Sequence, residues 1–280
     1  MRKAVLTMDV EDWYHLDYFN RRHCDENYKM LDGLNQYLEV LDKYQLPSSF
    51  FVLGEIANSL KDILRKVASS NHEIGSHGWN HRKPMTLTLE EFEKDIFRSK
   101  MTLEDILGVR VDGYRAPCFS MDRNRLDLVK SAGYLYDSSK IKFTEHPLYG
   151  EIDLNGFEEI SSNIYRQEDF FEFQVSTEKI LGKNVPVSGG GYIRLLPWLM
   201  MKKMIGSYLE HSELYVFYIH PFEFSKKKDP TFPQSASWSG KLRFSTGRNS
   251  VVEKFEYLLG YLQSKNFEFS TFSDLRKQLL

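Results

Sequence analysis

Short, nearly continuous apolar runs alternate with amphipathic segments along most of this sequence. The clearest run spans residues 214–219 (LYVFYI), and another spans residues 4–8. Runs of this length and continuity are typical of strands that are buried on both faces of a parallel sheet. The amphipathic segments between them predict helices, one of which begins at a capping box formed by Thr88 and Glu91. The alternation favours an α/β fold with parallel strands, either a barrel or a doubly wound sheet.

The predicted elements follow one another without a break in the pattern. The predicted strands cover residues 4–8, 49–54, 72–77, 111–114, 134–137, 214–219 and 267–271. The predicted helices cover residues 29–44, 55–69, 88–107, 123–132, 197–210, 249–265 and 273–279. Residues 140–195 give no clear element, and residues 221–248 are predicted as one long loop, which in a compact domain is often functional. Without an internal repeat or linker, residues 1–280 are interpreted as a single domain.

Charge, cysteine content and hydropathy indicate which kinds of partner and which cellular compartment to expect. The formal net charge is −2, whereas nucleic-acid-binding proteins are usually clearly basic, so no nucleic-acid partner is expected. Cys24 and Cys118 are too few for a disulfide framework. No window approaches the roughly 18–20 apolar residues of a transmembrane helix, and Asp9 interrupts the N-terminal apolar stretch before it could form a signal-peptide core. A cytoplasmic protein is therefore expected, with peripheral contact at the inner membrane face left open.

Ionisable side chains gather where the predicted strands end. They are Asp9, Glu11 and Asp12 after the first strand, His77 and His81 after the third, Arg115 after the fourth, Asp137 at the end of the fifth and His220 after the 214–219 strand. In parallel α/β folds, ligands bind at the carboxyl ends of the strands. These residues therefore predict one polar site at that edge. A solvated helix cap is the structural alternative for the acidic residues, and a core histidine is the alternative for His220.

The spacing of His77 and His81 points to a metal. On a helical turn, histidines four residues apart can share one cation. A carboxylate from the first strand end would complete a set of three ligands with open positions, which is a catalytic rather than a structural zinc arrangement. Strand alternation favours Glu11 as this ligand if the strand continues past Asp9, and a turn directly after Asp9 favours Asp12.

The other features at the strand ends receive narrower interpretations. Asp9 closes a buried strand, where an unpaired charge is costly, so it needs Arg115 or the metal as a partner. The glycine run at 189–191 predicts a tight loop that lets the backbone approach a neighbour closely, with phosphate binding as the weaker alternative. Cys118 is not expected to be a catalytic thiol, because the sequence offers it no activating partner.

In this order the motifs resemble the polysaccharide deacetylase family, also called the NodB-homology or carbohydrate esterase four family. The family's T-F-D-D motif corresponds to residues 7–12, its H-[ST]-x-x-H motif to 76–81, its R-x-P motif to 115–117, and its histidine after an apolar strand to His220. The strings DVEDWYH, YRAPCFS, YDSS, GGGYIRLLP and HPFEF are similar to a subgroup from exopolysaccharide and O-antigen gene clusters. That subgroup carries an extra C-terminal segment, which here would be residues 221–280.

The resemblance implies a distorted (β/α)7 barrel that binds a divalent metal. Zinc is the default metal, and Co2+, Ni2+, Mn2+ or Fe2+ would suit the same ligands. His77 and His81 would bind the metal together with a carboxylate from the first motif. The family usually has its metal-binding Asp directly after the catalytic base, where this chain has Val10. Both Glu11 and Asp12 therefore stay candidates, and Asp12 is slightly preferred because the family ligand is an aspartate.

The resemblance also implies catalytic roles. Asp9 would be the general base, Arg115 would orient it, and His220 would be the general acid. Asp137 would hold or tune His220, although it matches the fourth family motif poorly. The reaction would be hydrolysis of the N-acetyl group of an amino sugar in a polysaccharide or its precursor, whether polymeric, lipid-linked or nucleotide-linked.

Substrate contacts are expected from two kinds of group. A backbone N–H near Pro117 and Cys118 would help to stabilise the tetrahedral oxyanion. Trp13, Trp79 and Tyr192 would stack on sugar rings, with core packing as the equal alternative for each. De-O-acetylation, allantoinase-like opening of a cyclic amide and non-catalytic sugar binding are the competing functions for this fold.

Overall fold

The structure is a computed structural model, and it describes residues 2–143 and 150–280. The strands are β1 (Lys3–Val10), β2 (Ser49–Val52), β3 (Glu73–Ser76), β4 (Gly113–Tyr114), β5 (Tyr136–Asp137), β6 (Glu158–Ser161), β7 (Ile164–Gln167), β8 (Phe170–Phe173), β9 (Thr177–Ile180), β10 (Lys183–Pro186), β11 (Leu214–Ile219) and β12 (Glu268–Phe269). The α-helices are α1 (Gly33–Tyr44), α2 (Gly54–Ala57), α3 (Lys61–Ala68), α4 (Leu89–Leu107), α5 (Arg123–Ser131), α6 (Gly190–Leu195), α7 (Trp198–His211), α8 (Pro221–Phe224), α9 (Trp238–Ser245), α10 (Val251–Ser264) and α11 (Phe272–Leu279).

One curled sheet organises the molecule. Within the described ranges, seven strands run parallel in the order β11-β1-β2-β3-β4-β5-β8. Beyond β8 the sheet continues into antiparallel β7 and β6, and β12 pairs with the start of β1. The nearly sequential strand order is that of a barrel rather than of a doubly wound sheet. The predicted distorted (β/α)7 barrel is thereby confirmed.

The distortion lies between β8 and β11. No ladder joins these two strands among the described residues. The segment after β10 links them: the backbone N–H of Val187 donates to the carbonyl of Ser176, and Gly189 forms a single bridge with Tyr218 of β11. The hydroxyl of Ser176 accepts a hydrogen bond from the backbone N–H of Val216 in β11. Irregular segments therefore complete the barrel wall on this side.

Alternation along β1 divides the core into two parts. Leu6 and Met8 face the outer layer, where they belong to the apolar core shared with the helices. Val5 faces the barrel interior, which is filled by aromatic side chains such as Phe51 of β2. The same alternation turns Asp9 towards the interior face at the carboxyl end of the strand. Truncating a side chain as buried as Phe51 to alanine typically costs about 3–5 kcal/mol.

The structure differs from the prediction in the segment 221–248, which is not one long loop. Pro221 occupies the first turn of α8, and the side chain of Glu223 closes a capping box onto the backbone of His220. Ser237 caps α9 by accepting a hydrogen bond from the backbone N–H of Gly240. The predicted helix at 55–69 is also interrupted, as α2 and α3 with a short 3-10 turn between them.

Two expectations about the whole chain can be compared with the described residues. Cys24 and Cys118 are both free, so they form no disulfide with each other. In the part of the chain that the structure describes, every helix is too short or too polar to cross a membrane.

Candidate metal centre and active site

A buried ion pair lies inside the barrel at the carboxyl end of β1. Arg115 Nη1 donates to Asp9 Oδ1 at 2.8 Å and to Thr7 Oγ1 at 2.6 Å. Its Nε and Nη2 donate to the carbonyl and hydroxyl of Ser138, each at 3.0 Å. The Arg115 side chain is fully buried and the Asp9 side chain is only 4% exposed, so each charge needs the other. The guanidinium also lies over the Phe51 ring, with Cζ 4.3 Å from the ring centroid.

Three potential metal ligands lie beside this pair. Glu11, His77 and His81 each offer one ligand atom, and these atoms all lie within 4.8 Å of one another. His81 Nε2 is 2.8 Å from Glu11 Oε2, but this buried oxygen accepts no hydrogen bond of normal geometry from the described residues. One carboxylate and two imidazoles form a donor set that divalent transition metals bind in catalytic sites. The orphaned oxygen and the convergent nitrogens therefore fit a metal ion.

The histidines converge through a loop and not, as the sequence predicts, through a helical turn. His77 directly follows β3, and the backbone then reverses at Gly78, with a φ of +78°. His81 itself has a φ of +62°, in the left-handed region that few non-glycine residues adopt. Such strained backbone conformations are concentrated at functional sites.

Burial and neighbouring charges set the protonation of the cluster. Burial lowers the pKa of His77 to about 4, so the imidazole is neutral at pH 7. Its Nδ1 is 2.9 Å from the carbonyl of Arg115 and donates to it, which leaves Nε2 as the free ligand atom. Burial alone would raise the pKa of Glu11, but the charges of the surrounding histidines, chiefly His81, lower it to about 2. Glu11 is therefore a carboxylate.

Asp12, the slightly preferred ligand in the sequence analysis, does not join the histidines. Its Oδ1 accepts hydrogen bonds from the backbone N–H groups of Trp13 and Met30, both at 2.9 Å. It caps the 3-10 helix Trp13–His15 in this way. The chain turns at Glu11, whose N–H bonds to the carbonyl of Asp9, so that Glu11 enters the site and Asp12 turns away into the next helix.

His220 follows β11, and its side chain lies beside Glu11 of the metal-ligand cluster. Its Nε2 lies 3.4 Å from Glu11 Oε1, and its Nδ1 lies 3.1 Å from Glu223 Oε2. Arg194 Nε donates to the other oxygen of Glu223 at 2.6 Å. Burial opposes a charge on His220, but the hydrogen bond and charge of Glu223 outweigh it and raise the pKa of His220 to about 9.

The sequence analysis missed Glu223 and Arg194 as site residues. A signal was present for Glu223, since an acidic residue three positions after a histidine at a helix start can reach back to it. For Arg194 the only hint was its position after the glycine run at 189–191.

Asp137 does not contact His220, contrary to the expectation. Its carboxylate accepts hydrogen bonds from the backbone N–H and hydroxyl of Ser139, at 3.0 and 2.7 Å. Its acidic neighbour is Glu172 of β8, which pairs with it in the sheet. Burial and the charge of Asp137 raise the pKa of Glu172 well above its ordinary value, so the two carboxyl groups share a proton. Asp137 is thus part of a buried carboxyl pair in the barrel wall.

The predicted substrate contacts have different surroundings. Trp13 is fully buried, and its indole N–H donates to the carbonyl of Tyr28, so its ring cannot stack on a sugar. Trp79 is partly exposed, and the guanidinium of Arg98 lies 3.4 Å from its ring centroid. Tyr192, in α6, is half-buried against the helical core.

Pro117 and Cys118 lie in the 3-10 turn that follows Arg115. Cys118 has a φ of +55°, and its thiol lies 2.5 Å from Asp17 Oδ2. Asp17, His81 and Cys118 form a second group of ligand-type atoms within 4.8 Å of one another, which shares His81 with the first group. Burial raises the pKa of the Cys118 thiol well above its ordinary value, so it is not a thiolate nucleophile.

Two histidines and a carboxylate at the carboxyl ends of parallel barrel strands are an arrangement that metal-dependent hydrolases use. Residues 25–136 match the family described as "Polysaccharide deacetylase", and residues 138–277 match a "Domain of unknown function (DUF3473)". The chain belongs to the polysaccharide deacetylase family.

Relatives and solved structures agree with this assignment. The peptidoglycan deacetylase of Helicobacter pylori is 26% identical over 117 residues, which are 42% of this chain and 40% of that enzyme. A Mycobacterium smegmatis protein assigned to the polysaccharide deacetylases has a TM-score of 0.60 at 18% identity, covering 99% of this chain and 90% of that one. A CE4 family pseudoenzyme from Bacillus anthracis has a TM-score of 0.56 at 11% identity, covering 99% of this chain and 66% of that one. At these identities the structures show the fold alone.

Proposed function

We propose that this protein is a metal-dependent deacetylase that hydrolyses the N-acetyl group of an amino sugar in a polysaccharide or its precursor. The observation that carries the proposal is the convergence of Glu11, His77 and His81 beside both the Asp9–Arg115 pair and His220. A sugar-binding protein needs neither a metal triad nor an acid–base pair. Metal-dependent hydrolysis uses a metal, a base and an acid.

Glu11, His77 and His81 would hold the metal, with zinc as the first choice. When bound, a divalent cation polarises the acetyl carbonyl and lowers the pKa of water. His77 suits this role because its Nδ1 hydrogen bond to the carbonyl of Arg115 fixes the ring orientation. Glu11 replaces the aspartate that the family usually supplies.

The remaining steps are assigned to residues of this chain. Asp9 takes the proton of the attacking water, and Arg115 orients Asp9 by donating a hydrogen bond to its Oδ1. A backbone N–H close to Cys118 helps to stabilise the oxyanion. His220, with its raised pKa, carries the proton that the leaving amine needs.

The substrate class rests on the relatives. The Helicobacter pylori protein is a peptidoglycan deacetylase, and other matched proteins are described as chitin deacetylases, all of which act on N-acetylated amino-sugar polymers. This chain matches only 40% of the Helicobacter pylori enzyme, so substrate and pathway are part of the proposal. The subgroup motifs support a role in cell-surface polysaccharide biosynthesis as part of this proposal.

A non-catalytic sugar-binding protein is the second candidate, because a CE4 family pseudoenzyme has the same fold. A de-O-acetylase or allantoinase-like hydrolase would use the same residues on a different bond.

One experiment separates these functions. The wild type and His77→Ala are stripped of metal and reloaded with zinc or cobalt. Metal content is then measured beside acetate release from N-acetylated chitooligosaccharides, peptidoglycan fragments and O-acetylated xylan. We expect metal-dependent acetate release from an N-acetylated substrate, and loss of both metal and activity in the variant. Release only from xylan would indicate an esterase, and sugar binding without release would indicate the binding protein.

A further inference from the structure

Glu223 has an unusual position for a buried carboxylate, because both of its oxygens are occupied. Oε1 accepts from Arg194 Nε at 2.6 Å. Oε2 lies 3.1 Å from His220 Nδ1 and also accepts from the backbone N–H of His220 at 3.0 Å. Glu223 and Arg194 are 1% and 2% exposed. A carboxylate held at both oxygens can fix the orientation of a histidine ring but has no free oxygen for a proton or a substrate.

Arg194 is itself held by the far end of α9. Its Nη1 donates to the carbonyls of Phe244 and Thr246, and its Nη2 donates to the carbonyl of Arg243. These carbonyls lie in and just beyond the last turn of α9, where a helix has unsatisfied acceptors and a partial negative charge. The guanidinium therefore satisfies the end of α9 and the carboxylate of Glu223 together.

Two glycines make this arrangement possible. A Cβ at Gly190 would lie 2.2 Å from Glu223 Oε2, and a Cβ at Gly247 would lie 2.3 Å from the carbonyl oxygen of Arg194. By contrast, a Cβ at Gly191 would meet nothing within 4 Å. Gly190 therefore lets the backbone approach Glu223 closely. This is the role predicted for a tight loop, and it differs from that of a phosphate-binding loop.

We infer that the segment 238–247 positions His220, because it holds Arg194, Arg194 holds Glu223, and Glu223 fixes the ring of His220. This inference rests on the proposed function, in which His220 is the general acid. Glu223 and Arg194 are positioning residues in this scheme, and they take the place that the resemblance assigns to Asp137. Residues 138–277 match a domain of unknown function, and this inference assigns to part of that domain the positioning of His220.

Glu223→Gln tests the inference with little change in volume. The glutamine must keep its carbonyl oxygen towards Arg194, so its amide N–H2 faces His220 Nδ1. Because this amide group is a hydrogen-bond donor, His220 Nδ1 must accept from it and therefore cannot itself be protonated. We expect kcat to fall about 10–100-fold, the usual range for a residue that orients a catalytic group at a metal site. KM and metal content should stay unchanged.

A second readout does not depend on catalysis. In metal-free protein with 15N-labelled histidine, the nitrogen chemical shifts report which ring nitrogen of His220 is protonated. We expect a protonated Nδ1 in the wild type and in Asp137→Asn, and an unprotonated Nδ1 in Glu223→Gln. Unchanged His220 shifts in Glu223→Gln, or a shift change in Asp137→Asn alone, would overturn the inference. If the wild type releases no acetate, the proposed function fails while this measurement still decides the positioning.

The glycines give a matched pair of variants. Gly190→Ala should displace Glu223 and lower kcat towards the value of Glu223→Gln. Gly191→Ala should leave kcat at the wild-type value, since its Cβ has open space. Equal kcat in the two variants would contradict the proposed packing of Glu223.

Discussion

Two buried arginine–carboxylate pairs lie near the candidate metal ligands, and they differ in how many of the carboxylate oxygens accept hydrogen bonds. Asp9 Oδ1 accepts from Arg115, whereas Oδ2 accepts no hydrogen bond from residues 2–143 or 150–280. Glu223 has hydrogen bonds at both oxygens, from Arg194 on one and from His220 on the other. The first carboxylate keeps a free acceptor for a proton, and the second is saturated. The same pair of residue types thus serves a reacting group in one region and a positioning group in the other.

The largest effect should come from the carboxylate with the free oxygen. Asp9→Asn keeps the shape and a hydrogen bond to Arg115 but removes the proton acceptor. We expect kcat to fall about 10²–10⁴-fold, more than for Glu223→Gln, with metal content unchanged. The check is steady-state acetate release beside metal analysis. An equal or smaller loss than in Glu223→Gln would remove the distinction between the two pairs.

Removing either arginine should destabilise the protein by a similar amount, because each arginine neutralises a buried carboxylate. Arg115→Ala and Arg194→Ala should each lower the free energy of unfolding by about 3–5 kcal/mol. Urea unfolding of the metal-free protein measures this. Arg98→Ala is the control, since Arg98 is exposed and lies over the Trp79 ring, and it should cost at most about 1 kcal/mol. If either variant lost less unfolding free energy than Arg98→Ala, the ion pairs would not be needed for stability.

The pair of His220 and Glu223 should make the free energy of unfolding depend on pH. Burial opposes the charge on His220, but Glu223 raises the pKa of this histidine from 6.5 to about 9. A raised histidine pKa contributes stability that is fully present below about pH 6.5 and is lost as the pH rises through about 9. Up to about 3 kcal/mol is expected from this shift. The stability difference between wild type and Glu223→Gln, both metal-free, should therefore shrink over this interval. A difference that is constant with pH would refute the contribution of His220.

The smallest effect should come from the third carboxyl site, the pair of Asp137 and Glu172. Burial and the neighbouring Asp137 raise the pKa of Glu172, so the folded state holds a proton that the unfolded state loses above about pH 4.5. Glu172→Gln mimics the protonated form. It should be neutral or stabilising by on the order of 1 kcal/mol at pH 7 in urea unfolding. Marked destabilisation would mean that both carboxyl groups are ionised in the barrel wall.

Much of the fold could be predicted because it depends on local patterns. The apolar run at 214–219 and the strand–helix alternation sufficed for a parallel α/β fold, and the ordered motifs sufficed for the barrel and the family. The region 140–195 could not be predicted, because its strands β6 to β10 have only four residues each and, apart from the buried β8, are partly exposed without a clear alternation.

Within the site, the sequence located the residues at strand ends but could not decide how the chain turns after them. Glu11 and Asp12 were distinguishable only by the turn at the end of β1. The sequence around Trp13 did not indicate whether its ring would face a sugar or pack in the core. Arg194 lies 29 positions from Glu223 along the chain, and the tertiary packing of α6 against β11, which α8 follows, brings the two together.

The most direct test of the metal centre compares Glu11→Gln with Asp12→Asn. Both changes are isosteric, and the asparagine of the second variant can still accept the two backbone hydrogen bonds of the helix cap. Each variant is reloaded with zinc beside the wild type, and bound metal is measured by elemental analysis. The proposed ligand set predicts about one ion per chain in the wild type and in Asp12→Asn, with most of it lost in Glu11→Gln. Retention of zinc by Glu11→Gln and its loss from Asp12→Asn would contradict the assignment of Glu11 as the metal ligand.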